Sequence, residues 1–154
     1  MWATDQGKHI KLGELIGRSQ IVAMFFANCQ FACPIIVNDM KRIEAALTPE
    51  LRARVGFTLV SFDTKRDSPA ALATYRLTHA LPADHWTLLH GEPDDVLALA
   101  ALLGLKFKED ANGQFAHSNI ITILNGQGEI VHQQIGLNQD TKETVRILRQ
   151  LAPK

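Results

Sequence analysis

An uninterrupted apolar run over residues 21–27 leads directly into Asn28-Cys29-Gln30-Phe31-Ala32-Cys33-Pro34. Residues 21–26 have strand length and no polar alternation, which suits a central strand covered on both faces. From Pro34 onward, apolar Ile36, Met40, Ile43 and Leu47 recur at helical spacing, with Asn38, Asp39, Lys41, Arg42 and Glu44 on the other side. Pro34 fits the first turn of that helix, where its missing N–H costs nothing. Both cysteines of the chain therefore sit where a buried strand gives way to a helix, the end of the strand at which α/β sheets place their ligands.

The remaining punctuation is that of alternating strands and helices. Residues 3–8 read as a strand end and turn before the 10–15 segment, and residues 55–62 as a second strand. Ser68-Pro69 caps a helix over 70–78, and residues 86–89 form a third, short strand. A helix over 92–103 ends near Gly104, a short extended piece follows at 105–108, and residues 109–114 turn. Strands at 118–124 and 129–135 flank the hairpin turn Asn125-Gly126-Gln127-Gly128, and a helix over 140–151 closes the chain. The order β-α-β-α-β-α, then β-β-α, predicts an α/β fold of thioredoxin-like type with an insertion, a central mixed β-sheet flanked by helices.

Length and charge narrow the partners. At 154 residues with 46% hydrophobic content, the chain is expected to form a single domain over 1–154 around one core. Its 16 basic and 16 acidic residues cancel and form no long same-sign block, which argues against a nucleic-acid surface or an anionic-membrane anchor. The 21–27 run is far shorter than the ~18 residues of a membrane span, and no signal-peptide pattern opens the chain, so a soluble protein is expected.

Two thiols at a strand-to-helix junction can bind a soft metal, cycle to a disulfide, or attack a peroxide. Aimed N–H groups and the positive end of the helix dipole favour thiolate over thiol, so Cys33 is expected to be the more acidic. If the helix includes Cys29, the spacing of four puts both sulfurs on one face, about 6 Å apart at Cβ. The competing reading is a pair of small, buried, inert core residues.

His117, in Phe115-Ala116-His117-Ser118-Asn119, precedes an apolar strand that runs beside the cysteine segment in a thioredoxin-like layout. Its neutral imidazole can complete a site of two sulfurs and one nitrogen, a donor set that suits copper(I) and can also hold copper(II) or zinc. A surface histidine at a strand entrance is the alternative. Asp63 follows the second strand at the same edge, where it can orient a ligand as an outer-shell group or simply build the turn. His9, His79, His85, His90 and His132 show no zinc-motif spacing and read as solvated or half-buried side chains.

With these residues placed, the chain resembles the Sco/SenC family, copper-binding thioredoxin-fold proteins that help assemble the copper centre of cytochrome c oxidase. The Cys-x-x-x-Cys-Pro motif stands at Cys29 to Pro34, the acidic segment after the second strand at Ser61-Phe62-Asp63-Thr64-Lys65-Arg66-Asp67-Ser68-Pro69, and the ligand histidine at Ala116-His117-Ser118. Trp86-Thr87-Leu88-Leu89-His90-Gly91 and Leu99-Ala100-Ala101-Leu102-Leu103-Gly104 resemble the family's middle region.

The resemblance implies Cys29, Cys33 and His117 as ligands of one copper ion, Cu(I) or Cu(II), with Asp63 nearby. It also implies a metallochaperone that hands copper to a receiving protein such as a cytochrome c oxidase subunit, with another copper chaperone or a thiol reductant as further partners. Family relatives act outside the cytoplasmic membrane, so a periplasmic protein, tethered to the membrane by a segment absent from this chain, is expected.

The alternative is a thiol-disulfide oxidoreductase, with Cys29 and Cys33 as the catalytic pair, that reduces cysteines of a copper-receiving protein. Against it stand a three-residue spacer where thioredoxins use two, and no proline in the loop before Ile120. A peroxidase would need activating residues around its thiol for which the chain shows no motif.

Overall fold

The computed structural model describes residues 2–28 and 32–151, with Ala32 and Cys33 described as backbone alone. Strands β1 (Trp2–Thr4) and β2 (His9–Ile10) and a 3-10 turn (Leu12–Leu15) lead into β3 (Ser19–Phe25). Helices α1 (Ala32–Ala46) and α2 (Pro49–Arg52) precede β4 (Val55–Ser61), followed by α3 (Pro69–His79), β5 (Trp86–Gly91) and α4 (Pro93–Leu103). Strands β6 (Phe107–Glu109), β7 (Phe115–His117), β8 (Ile120–Leu124) and β9 (Ile130–Ile135), then α5 (Lys142–Leu151), complete the fold.

The central sheet is mixed and seven-stranded, in the order β2-β1-β5-β4-β3-β8-β9. Strands β3, β4 and β5 run parallel, and β8 lies antiparallel to β3, pairing Ala23 with Ile121. This is the expected layered arrangement, with the apolar run at its centre: residues 21–26 are buried without alternation because helices cover both faces. On one face the Phe25 ring packs 4.9 Å from Tyr75 of α3, and α1 reaches α3 through Lys41 Nζ donating to the His79 carbonyl. On the other, Val22 and Val60 line a cavity with Leu12, Leu15, Leu99 and Leu103, from the 3-10 turn and α4.

Local signals place most element ends. The Ser68 hydroxyl accepts the Ala71 amide at 3.2 Å with Pro69 at the first helical position, and α4 stops at Gly104, which takes the left-handed φ of +71°. The Asn125 amide donates to the Glu129 carbonyl at 2.9 Å, closing the β8–β9 hairpin.

Two departures from the sequence reading bear on function. Residues 115–117 do not lead continuously into β8; they form β7, which pairs with β6 in a separate two-stranded sheet. The changeover falls between β7 and β8, where the Ser118 amide donates to the Lys106 carbonyl while the Asn119 carbonyl accepts the Gly136 amide, so adjacent residues bond toward different sheets. Helix α2 is additional to the expected elements; Thr48-Pro49-Glu50 is its capping sequence, and the Thr48 hydroxyl accepts the Leu51 amide at 3.2 Å. Among the described residues no helix is long and apolar enough to cross a membrane.

The N-terminal strands are secured by a buried ion pair. Arg76 Nε and Nη2 donate to the two Asp5 carboxylate oxygens at 2.6 and 2.9 Å, and the same guanidinium caps the carbonyls of Leu81 and Trp86. Removing one member would strand the other charge in the core. Asp5→Ala is therefore expected to lower stability by about 3–5 kcal/mol, read as a fall in the urea midpoint. A loss below about 1 kcal/mol would show that water reaches the guanidinium readily.

Candidate metal centre

Three segments converge at one edge of the sheet. Strand β3 ends at Phe25 beside Ser61 of parallel β4, and the Phe62 amide donates to the Phe25 carbonyl at 2.9 Å. Because β8 is antiparallel to β3, its entrance lies at this same edge and brings β7 with it. The site is therefore set by strand direction before any side chain is considered.

Cys29 lies outside the described residues. Cys33 is the second residue of α1 and Pro34 the third, so the Cys33 backbone occupies the first turn, as expected. A backbone position in a helix's first turn lies at the positive end of the helix dipole, a setting that favours thiolate over thiol in general.

His117 ends β7. Its half-buried ring stands 6.0 Å, edge-on, from Phe26, the residue immediately after β3, and 5.0 Å from Phe62 after β4. The imidazole thus overlies the strand exit that leads to the cysteines. Its Nδ1 lies 2.9 Å from the Ser118 carbonyl oxygen. A carbonyl can only accept, so Nδ1 carries the hydrogen and a neutral ring has its lone pair at Nε2. Histidine ligands characteristically donate their second ring N–H in this way, which fixes tautomer and orientation.

Asp63 is buried and turned toward its own loop. Its oxygens accept from Arg66 Nε at 2.6 Å and the Arg66 amide at 3.1 Å, while its own amide donates to the Ser61 hydroxyl at 3.0 Å. These bonds build the turn after β4, one of the two roles open to it from sequence.

The carboxylate that bonds Ala27, two residues before Cys29, is Asp67, which no local sequence pattern singles out. Buried to 2% exposure, Asp67 Oδ2 accepts the Ala27 amide at 2.8 Å and the Ser61 hydroxyl at 2.6 Å, and its carbonyl lies 2.9 Å from His90 Nδ1. The bond to Ala27 spans 40 positions of chain, so no local pattern announces it. The only signal was a second aspartate in Asp63-Thr64-Lys65-Arg66-Asp67.

An aromatic shell backs the centre. Phe62 and Phe107 rings stack at 5.0 Å, and Phe115 packs 5.0 Å from both Phe26 and Phe62. Outside His117, the open rim is formed by Lys106, Phe107, Lys108, Ala116 and Ser118. Among the other histidines, His85 Nε2 and Trp86 Nε1 share Glu44 Oε2, each at 2.8 Å. Among the described residues no group of three or more His, Cys, Asp or Glu side chains gathers as a metal site, and the candidate sulfurs are not within that set.

Comparison with known proteins agrees with this architecture. The SCO1/SenC family profile matches residues 2–152, and the chain belongs to that family. A Bacillus anthracis structure described as a SCO1/SenC family lipoprotein superposes with a TM-score of 0.89 at 22% identity, covering 99% of this chain and 92% of that one. Yeast Sco1 with copper bound superposes with a TM-score of 0.80 at 22% identity, covering 97% and 83%. A Stutzerimonas stutzeri protein named "Putative copper-binding protein" is 26% identical over 120 residues, 75% of this chain. The chain spans 57% of the length of that curated relative.

Burial raises the Asp67 pKa above the ordinary aspartate value, aided by the neighbouring Asp63 charge, while the Ser61 and Ala27 bonds and Arg66 oppose the rise. Between the unfolded and folded pKa values the folded protein binds more protons, so stability from this group falls as pH rises through that interval. Asp67→Asn keeps an oxygen for the Ala27 amide but does not titrate. The stability of wild type relative to Asp67→Asn is thus expected to decline from about pH 4 toward pH 7, measured by urea unfolding. A relative stability that grows with pH would mean that the fold lowers this pKa.

Proposed function

We propose that this chain is a copper metallochaperone that binds one copper ion through the thiolates of Cys29 and Cys33 and the imidazole of His117. The carrying observation is the placement of His117 over Phe26, at the strand exit that leads to the cysteines, with Nδ1 held 2.9 Å from the Ser118 carbonyl oxygen. Two thiolates and an imidazole are a soft, low-coordinate donor set, which copper(I) prefers. Copper here is cargo. Ligands contributed by separate segments of the chain can exchange one at a time with those of a receiving protein, so transfer needs no turnover chemistry.

Family membership and the copper-bound yeast structure support this reading, and the resemblance of the motifs directs it to assembly of the cytochrome c oxidase copper centre. The receiving partner is then an oxidase subunit, with another copper chaperone or a thiol reductant upstream. The proposed setting is outside the cytoplasmic membrane on a membrane tether, in keeping with a relative described as a lipoprotein. The position of Cys33 in the first turn of α1 favours one second reading, a dithiol that reduces the cysteines of the copper-receiving protein.

The test is anaerobic titration of the reduced protein with copper(I) against a chromophoric chelator. One ion per chain is expected, with Cys29→Ala, Cys33→Ala and His117→Ala each weakening binding by roughly tenfold or more. Rapid disulfide exchange unaffected by His117→Ala, without stoichiometric copper binding, would instead establish the oxidoreductase.

A further inference from the structure

The loop between β4 and α3 grips both halves of the centre. At its far end Asp67 holds the Ala27 amide, two residues before Cys29. From its middle, Arg66 Nη2 donates to the Gly113 carbonyl and, at 3.1 Å, to Glu109 Oε2, while the guanidinium carbon lies 5.9 Å from the centre of the Phe115 ring. Gly113 is in the turn of the β6–β7 hairpin, and Glu109 and Phe115 face each other across it. Phe107 faces His117 two pairs further on.

The hairpin turn is shaped for this contact. Gly113 has a φ of +76°, and a Cβ placed there would come 2.5 Å from Arg66 Nη1. Glycine therefore serves twice, allowing the backbone conformation and admitting the guanidinium. Asp63 fixes the root of Arg66 through Nε, which leaves the outer edge of the planar group for the hairpin.

We propose that Arg66 is a positioning residue for the metal centre: it fastens the His117 hairpin to the same loop that fastens Ala27 ahead of the cysteines, and so sets where the imidazole stands. The consequence for metal binding rests on the copper reading above, whereas the fastening itself does not. A lysine can satisfy Asp63 or the Gly113 carbonyl but not both, because it lacks the fork.

The experiment is a double-mutant cycle between Arg66→Ala and His117→Ala, with copper(I) affinity and the copper(II)-thiolate absorption bands as readouts. Arg66→Ala alone is expected to weaken copper(I) roughly tenfold, in the range of outer-shell partners, and to move the copper(II) spectrum toward that of His117→Ala. In the His117→Ala background it should change neither, and Arg66→Lys should fall between wild type and Arg66→Ala. Wild-type behaviour of Arg66→Ala, or an equal loss with and without His117, would overturn the proposal.

Amide hydrogen exchange on the metal-free protein keeps the fastening testable even if wild type binds no copper, the result that would defeat the copper reading. Arg66→Ala should speed exchange across residues 107–117 while leaving β3 and β4 unchanged. Unchanged exchange in the hairpin would overturn the fastening.

Discussion

A buried carboxylate joins the two strand exits on which the site depends. Asp67 takes the Ala27 amide after β3 and the Ser61 hydroxyl at the end of β4, so the start of the cysteine segment is tied to the neighbouring loop by side-chain bonds as well as by the sheet. The Ser61 hydroxyl is buried with it and the Ala27 amide half-buried, and losing their acceptor would leave both donors short of a partner. The antiparallel return of β8 then supplies the third participant, because a strand entering this edge must bring the residues before it to the same place.

Much of this frame was legible in the chain. The unbroken apolarity of residues 21–26 marked a strand covered on both faces, Pro34 marked the first turn of α1, and Ser68-Pro69, Gly104 and Asn125 to Gly128 marked boundaries where the structure has them. These are local effects of backbone conformation and hydrogen-bond supply, so local sequence carries them. The separate β6–β7 sheet was not legible. Residues 115–117 and 120–124 both have strand character, and what divides them is pairing with Lys106 on one side and Gly136 on the other. The roles of Asp67 and Arg66 were hidden for the same reason, since each acts on residues some 40 positions or more away along the chain.

The chemistry of the centre follows from contrast between its layers. Inside, Phe26 and Phe62, backed by Phe107 and Phe115, give the imidazole an apolar wall, beside which electrostatic and hydrogen-bonding interactions are stronger than in open solvent. Outside, the His117 rim is open. An apolar wall behind His117 beside an open rim suits the proposed cargo, an ion that must be held and then released.

Copper K-edge X-ray absorption on the reduced, copper(I)-loaded protein tests the central claim most directly. Two sulfur neighbours and one imidazole nitrogen per copper are expected, with the imidazole contribution lost in His117→Ala. A sulfur-only shell, or an imidazole signal that survives that substitution, would contradict it.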